Sequence, residues 1–173
     1  MIHTKDDWIK VGFEILIAEG IDGVKVEAMA RKMGVTKGGF YGYFPNRDAF
    51  LKAMLEDWEL RYSSEIFNYI NNLTGNLSYK LKKLLYVVDN ANYDAIELSM
   101  YSWASHDPLV RKVIMRVVNE RLKLLANLFL EEGFTEDEAD KRAHIVHHFM
   151  AGCRLSRPLL PVSGSHERHE QLD

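Results

Sequence analysis

The spacing of apolar residues predicts helices along the whole chain, since no run alternates apolar and polar residues with the period of two that a strand requires. The clearest short helix is predicted over residues 26–33. Gly34 follows it and can take the left-handed backbone angles of a sharp turn without steric cost. The apolar residues of this helix recur at three- and four-residue intervals on one face: Val26, Met29, Ala30 and Met33.

A second short helix is predicted over residues 37–44, with Thr36 as its N-terminal cap. The small Ala30 leaves room for the two helices to cross closely. Two short helices joined by a glycine turn fit helix-turn-helix geometry. The side chains expected to pack the second helix against the first are Val35, Phe40, Tyr43 and Phe44.

Capping residues mark the ends of the other predicted helices. Thr4 with Asp7 can form a capping box at the start of the first helix, and residues 135–138 can form another before the last. Asp107-Pro108 is a start signal, because aspartate caps free amides and proline tolerates the first helical position. Apart from a linker over residues 71–76, we predict further helices over residues 47–70, 77–88, 93–103, 109–130 and 136–155.

Charge is distributed unevenly along the chain. The 173 residues include 22 Lys and Arg against 25 Asp and Glu, which gives a formal net charge of −3. Residues 24–52 reverse this sign, and a local positive surface of this kind attracts a phosphate backbone. The charged residues of this stretch are the bases Lys25, Arg31, Lys32, Lys37, Arg47 and Lys52 and the acids Glu27 and Asp48.

The first helix ends in Gly20, residues 24–30 form the second, and residues 34–38 with Phe40-Tyr41 form the turn and the third. With the opening of the fourth helix at residues 44–50, this pattern resembles the DNA-binding domain of the TetR family of bacterial transcription regulators. Residues 97–152 are similar to the regulatory half of one TetR subgroup.

The resemblance implies an all-α fold in three parts. A three-helix helix-turn-helix domain covers residues 4–50, a helical effector and dimerisation domain covers residues 51–156, and residues 157–173 form a loose tail. It also implies a homodimeric repressor in which a small effector shifts the fourth helix.

The resemblance also assigns roles to individual residues. Thr36, Tyr41 and Arg47 match positions that hold phosphates, and Lys37 can donate to guanine acceptors beside Gly38 and Gly39. Tyr43 either contacts the backbone sugar or packs in the protein. The complete predicted DNA-binding set is Lys25, Thr36, Lys37, Gly38, Gly39, Tyr41, Gly42, Tyr43 and Arg47.

Three positions depart from the family pattern. Gly39 replaces the usual Ser or Thr, Gly42 replaces a larger side chain, and Lys25 replaces Thr. We therefore expect sparse direct readout of bases. Each interior glycine also lowers helix stability by about 1 kcal/mol relative to alanine. We therefore hypothesise that the helix over residues 37–44, the reading helix, is frayed in the free protein and becomes ordered on DNA.

Apolar residues over positions 109–130 cover a wider arc than one neighbouring helix would bury. This pattern favours a homodimer through residues 109–130 and 136–155, in which Ala151 and Gly152 permit close backbone approach. A monomeric core helix is the alternative. An effector pocket is predicted from residues that could equally be ordinary core: Tyr62, Tyr86, Tyr93, Met100, Tyr101, Trp103 and Phe129.

Two other groups of residues have the composition of a metal site or a catalytic site. His144, His147 and His148 share a helix face near Cys153, yet the spacing lacks a third firm ligand, so we predict no metal and keep a metal sensor as an alternative. Residues 105–107 read Ser-His-Asp, but sequence neighbours rarely point at one another, so we predict no enzyme and no cofactor. A DNA-binding protein without an effector also remains open.

Composition sets the remaining expectations. With 47% hydrophobic residues the chain can bury a substantial core, and a single cysteine excludes an intramolecular disulfide. No apolar run is long enough to span a membrane, and the polar first residues are unlike a signal peptide. We expect a cytoplasmic protein.

Overall fold

The computed structural model describes residues 3–90 and 93–156, and every regular element in this part of the chain is helical. The predicted tail over residues 157–173 lies outside the described residues. The helices are α1 (Lys5–Glu19), α2 (Val26–Met33), α3 (Lys37–Tyr41), α4 (Arg47–Glu59), α5 (Glu65–Asn71), α6 (Leu77–Asn90), α7 (Tyr93–His106), α8 (Pro108–Glu131) and α9 (Glu136–Ser156).

The predicted caps are present. The Thr4 side chain accepts from the Asp7 amide at 3.2 Å while Asp7 accepts from the Thr4 amide at 2.7 Å, and Thr135 and Glu138 form the same reciprocal pair. Asp107 Oδ1 accepts from the amides of Leu109 and Val110. The predicted starts of α1, α8 and α9 are therefore confirmed to within a residue.

The helices predicted to end at residues 88 and 103 continue to Asn90 and His106, and two other predicted helices differ more. The helix expected over residues 37–44 ends at Tyr41, because the chain turns at Gly42 and Tyr43, and Phe44 precedes a proline, which disfavours helical angles. Thr36 occupies the N-cap position, but its side chain makes no capping hydrogen bond.

The helix expected over residues 47–70 is interrupted by a π-helical turn over Leu60–Ser64. A wider turn of this kind frees backbone carbonyls from the helical ladder. Arg121 of α8 binds one of the carbonyls of this turn, since its Nη2 donates to the Tyr62 carbonyl at 3.2 Å.

Buried side chains form two cores. The first core joins α1–α4 to α7 and to the first half of α8, and it includes Trp8, Phe40, Phe50, Met54, Trp58, Met100, Trp103 and Val117. The second core lies between α5, α6, the second half of α8 and α9, and it includes Ile66, Ile70, Leu84, Val88, Leu124, Leu128 and Met150.

Gly12 permits the close packing of α1 against α4. A Cβ atom at this position would lie 2.6 Å from Phe50 Cζ and 2.7 Å from Met54 Sδ, both distances too short for real contacts. In the described ranges, 3–90 and 93–156, no helix is both long and apolar enough to cross a membrane.

Candidate nucleic-acid interface

The helix-turn-helix is formed by α2, Gly34 and α3. Gly34 has φ 68°, in the left-handed region that glycine adopts readily, and the Val35 amide donates back to the Ala30 carbonyl at 3.0 Å. Met29 and Ala30 are buried on the side of α2 that faces the core. The turn therefore has the geometry that the sequence predicts.

Aromatic packing fixes the orientation of α3. Phe40 is fully buried, and its ring lies 5.4 Å from Trp8 and 5.5 Å from Phe50, with edge-to-face geometry in both pairs. Phe44 contacts Phe50 from the other side at 4.9 Å. One face of α3 is thus held by α1 and α4, so the opposite face is presented to solvent.

The predicted DNA-binding residues of α3 and its flanks lie on this solvent side. The seven predicted residues between positions 36 and 43 are all exposed, as is Lys25 at the start of α2. Tyr41 is 56% exposed, more than a packing role would leave. Tyr43 was expected to pack against α2, but it is 43% exposed and its hydroxyl donates to the His3 carbonyl.

Arg47 is the exception in the predicted set, because it is only partly exposed. Its Nε donates to the Val24 carbonyl at 2.6 Å and its Nη2 donates to the Ile21 carbonyl at 2.8 Å. These bonds tie the start of α4 to the segment that leads into α2. The structure therefore gives Arg47 an internal contact, and its predicted phosphate contact stays a prediction.

Acidic residues accompany several of the basic ones. Lys37 Nζ lies 2.5 Å from Glu27 Oε1, and Lys32 Nζ lies 3.2 Å from Glu14 Oε2. The hydrogen bond from Lys37 lowers the pKa of Glu27, and the same bond raises the pKa of Lys37. Both groups are therefore charged near neutral pH, and Glu27 competes with any phosphate or base acceptor for Lys37.

Comparison with known proteins adds to this geometry. Residues 9–54 match the family model described as bacterial regulatory proteins, tetR family. This stretch of the chain is therefore of the TetR type. The matched residues begin in α1 and end in α4, so they contain the whole helix-turn-helix.

Two curated TetR-family relatives are similar over part of the chain. YwcC of Bacillus subtilis (strain 168), an uncharacterized HTH-type transcriptional regulator, is 31% identical over 105 residues, which cover 61% of this chain and 44% of YwcC. The HTH-type transcriptional repressor NemR of Escherichia coli (strain K12) is 27% identical over 89 residues, which cover 51% of this chain and 44% of NemR. The chain thus matches less than half the length of these relatives.

The similarity in fold covers more of the chain than the similarity in sequence. The crystal structure of the reduced form of E. coli NemR superposes with a TM-score of 0.72 at 18% identity, covering 91% of this chain and 88% of that chain. At this identity the superposition establishes a shared fold. It includes the second half of the molecule, where the sequence comparison is weaker.

The second half of the chain contains a cavity of about 40 Å³ between α5, α6, α8 and α9. We call it the second-domain cavity. Tyr62 and Phe67 contribute aromatic rings, and Arg121, His147 and Arg154 contribute nitrogen atoms. Its other walls are aliphatic or thioether side chains: Ile66, Leu84, Val88, Leu124, Leu125 and Met150.

Of the six predicted pocket residues whose side chains the structure describes, only Tyr62 lines this cavity. Met100 and Trp103 lie in the first core instead, and Phe129 is buried with its ring 5.8 Å from Phe134. Tyr86 and Tyr101 are exposed, and the side chain of Tyr93 lies outside the described residues. Aromatic content alone did not locate the cavity, because most of its walls are aliphatic.

A buried ionic cluster, not predicted from the sequence, adjoins the second-domain cavity. Arg121 Nη1 donates to Glu97 Oε1 at 2.5 Å, and Arg154 Nη1 lies 2.9 Å from Glu97 Oε2. We call these three residues the Glu97 cluster. Burial alone would raise the pKa of Glu97, but the two arginines lower it below its ordinary value, so the carboxylate is ionised.

The histidines of α9 do not act as one group. His147 is buried beside the cavity, where burial and the positive charge of Arg121 lower its pKa to about 4. His144 and His148 are exposed and stack on each other at 5.7 Å. In the part of the chain that the structure describes, no three His, Cys, Asp or Glu residues are placed to hold a metal.

The Ser-His-Asp run at residues 105–107 also lacks a catalytic arrangement. Ser105 Oγ lies 2.6 Å from His106 Nδ1, but it also lies 2.6 Å from the Ser102 carbonyl, to which it donates. The Asp107 carboxylate accepts from the first amides of α8 and thus acts as a cap. The TetR-family relatives are transcription regulators, in keeping with this geometry.

Proposed function

We propose that this chain is a sequence-specific DNA-binding transcription regulator of the TetR family that acts as a homodimeric repressor and responds to a small molecule. The observation that carries the proposal is the exposed face of α3, held on an aromatic core inside the residues that match the family. The repressor NemR, similar in sequence and in fold, supports repression over activation.

The proposed DNA contacts follow the exposed face. Thr36 and Tyr41 donate to phosphates and fix register, and Lys37 reaches base edges beside Gly38 and Gly39. Lys25 adds positive charge at the start of α2, and Arg47 acts mainly by holding α4 against the segment before α2. The proposed DNA-binding domain covers residues 4–50, and the effector and dimerisation domain covers residues 51–156.

Exposed apolar residues on α9 support a homodimer. Ile145 is 68% exposed and Phe149 is 67% exposed, and they lie one turn apart on the same face. A Cβ atom on Gly152, one turn further along, would meet nothing within 4 Å, so a second copy has room to approach closely. A two-fold dimer would present two copies of α3 to successive turns of the major groove.

The second-domain cavity supports a response to a small molecule, because it combines apolar walls with a few charged groups. The alternative of an effector-independent DNA-binding protein has no comparable observation in its favour. An enzymatic role is not proposed. Binding to an operator in a bacterium implies the cytoplasm, where the chromosome lies.

A genomic-fragment selection with the purified protein, repeated at several salt concentrations, tests the proposed function. The test variant is Lys37→Ala with Tyr41→Ala, on the exposed face of α3. The matched control is Lys82→Ala with Tyr69→Ala, since these two residues are also an exposed lysine and tyrosine but lie on α6 and α5.

We expect enrichment of a palindromic site by the wild type and by the control, with binding weakened by salt and lost in the test variant. Equal enrichment by the test variant, or no enriched site at all, would show that α3 does not read DNA as proposed. Mapping the recovered site onto the genome would also identify the neighbouring genes.

A further inference from the structure

The charged wall of the second-domain cavity carries more positive than negative charge. Arg121 and Arg154 both line the cavity, and their side chains are only 13% and 11% exposed. Glu97, at 9%, is the carboxylate partner that both arginines share among the described residues. The Glu97 cluster therefore has a net charge of +1 in a largely dry environment.

The two arginines are not equally satisfied. Arg121 donates to Glu97 and to the Tyr62 carbonyl, and its guanidinium lies 5.9 Å from the centre of the Trp58 ring. Arg154 approaches Glu97 at 2.9 Å, but the Glu97 oxygen that it faces accepts no well-aligned hydrogen bond. Arg154 is thus the arginine with hydrogen-bonding capacity left for a ligand.

Burial of an uncompensated charge is unfavourable unless a partner of opposite charge accompanies it. The described residues that line the cavity include no acid, and most of them are apolar. His147 cannot supply a negative charge. A bound anion would neutralise the excess charge and accept from Arg154.

We propose that the second-domain cavity binds a small organic anion, a carboxylate with a short apolar body, whose head group lies against Arg154 and Arg121. This inference rests on the proposed ligand-responsive function and names the class of its ligand. A site for one water needs about 10–15 Å³, so a cavity of about 40 Å³ holds a body of only a few carbons.

The second-domain cavity is connected through Tyr62 to α4, the helix that follows the proposed reading helix. Tyr62 lines the cavity and belongs to the π-helical turn, and its ring stacks on Trp58 at 6.5 Å with an interplanar angle of 18°. Trp58 is buried in the first core together with α1 and α4. An anion that draws Arg121 away from the Tyr62 carbonyl therefore acts on the end of α4.

Isothermal titration calorimetry of the full chain with butyrate tests the proposal, with butanamide as a neutral probe of similar shape. We expect saturable butyrate binding, at least about tenfold tighter than butanamide, because a charged group strengthens each hydrogen bond. Hexanoate, the longer probe, measures how much apolar body the cavity accepts.

Two variants should shift butyrate affinity in opposite directions. Arg154→Gln should weaken it about tenfold, because the main donor loses its charge. Glu97→Gln should strengthen it, because the carboxylate that competes for both arginines is removed. A gain of affinity cannot result from misfolding, so this variant keeps the test decisive. Arg142→Gln, near the other end of α9, is the matched control and should leave affinity unchanged.

The inference is overturned if butyrate fails to bind both the wild type and Glu97→Gln, or if butanamide binds as tightly as butyrate. Calorimetry needs no DNA, so this failure is distinct from failure of the proposed function, which would appear as the absence of an enriched operator. If saturating butyrate does not change operator binding, the proposed coupling between the second-domain cavity and the DNA-binding domain is wrong.

Discussion

At the scale of single residues, an ion pair between Glu27 and Lys37 reduces the positive charge of the proposed DNA-binding face. The sequence shows six bases against two acids in this region, yet one of the two acids lies 2.5 Å from the lysine expected to reach the bases. Both side chains are more than half exposed, so solvent screens the pair. The pair affects binding by competition with DNA more than it affects stability.

Glu27→Gln should therefore increase DNA affinity about two- to fivefold, because it frees Lys37 from a pair that solvent already weakens. The gain should shrink as salt rises, because the added net charge acts on phosphates. Fluorescence anisotropy with the recovered operator at two salt concentrations measures it. Asp137→Asn, which breaks an exposed pair with Lys141 on α9, is the control and should leave affinity unchanged. Weaker binding by Glu27→Gln would mean that Glu27 orients Lys37 productively.

His147 gives the folded chain a pH dependence that can be measured. Its pKa is about 4 in the folded state against 6.5 for an ordinary histidine, so the unfolded chain binds more protons between these values. The free energy of unfolding should therefore fall as pH falls from 6.5 towards 4, by at most about 3 kcal/mol from this residue. The charged and titratable groups around it are Arg121 on α8, Glu97 on α7, and Arg154 and His148 on α9.

Urea unfolding of His147→Gln across this pH range should show a flatter profile than the wild type. The exposed His144 on the same helix provides the control, since His144→Gln should keep the wild-type slope. A wild-type slope in His147→Gln would show that the carboxylates, and not this imidazole, set the acid sensitivity.

At the scale of elements, the sequence predicted those helices whose ends are fixed by local chemistry. Capping boxes, Asp107-Pro108 and Gly34 act through their nearest neighbours, so the chain alone reveals them. The π-helical turn at Leu60–Ser64 was not predicted, because its freed carbonyl is bound by Arg121, about sixty residues away in sequence. The Glu97 cluster was missed for the same reason, since Glu97, Arg121 and Arg154 lie on three different helices.

The glycines of α3 make a separate prediction about this element. A Cβ atom on Gly39 would lie 3.7 Å from Trp8 Cζ2, an ordinary contact, so folding does not require glycine there. Gly39→Ala should stabilise α3 by about 1 kcal/mol and raise amide protection over residues 37–43 in hydrogen exchange. Gly34→Ala should have the opposite effect on stability, because its φ of 68° is unfavourable for alanine.

Hydrogen exchange of the wild type tests the fraying hypothesis directly. We expect residues 37–43 to exchange faster than α1 in the free protein and to become protected on DNA. If residues 37–43 are already as protected as α1 in the absence of DNA, the hypothesis is wrong.

At the scale of the whole molecule, α8 and α9 pack along their length and still leave apolar side chains at the surface. Within one subunit the predicted apolar arc of α8 is largely buried, including Ile114, Val117 and Leu128. Exposed apolar side chains occur on both helices, since Leu109 and Met115 on α8 are 74% and 60% exposed, comparable to the values for Ile145 and Phe149 on α9. Both helices thus offer apolar side chains to the proposed dimer face.

Ile145→Glu combined with Phe149→Glu should convert a dimer into a monomer, because two charges would be buried at the contact. Light scattering coupled to size-exclusion chromatography should report half the wild-type mass, with unchanged helix content. Lys141→Glu with His144→Glu places the same charges one turn earlier on α9, at positions that are already polar. An unchanged mass in the Ile145 and Phe149 variant would place the dimer contact elsewhere.

The first core has a consequence for any attempt to transplant the proposed DNA-binding domain. Trp8, Phe13 and Trp58 share that core with Met100 and Trp103 of α7 and with Val117 of α8. A fragment that stopped at the end of α4 would leave these partners behind and expose the apolar side of α1 to water. The proposed DNA-binding domain therefore cannot be transferred alone. A chimaera designed to keep its specificity must also contain α7 and the first half of α8.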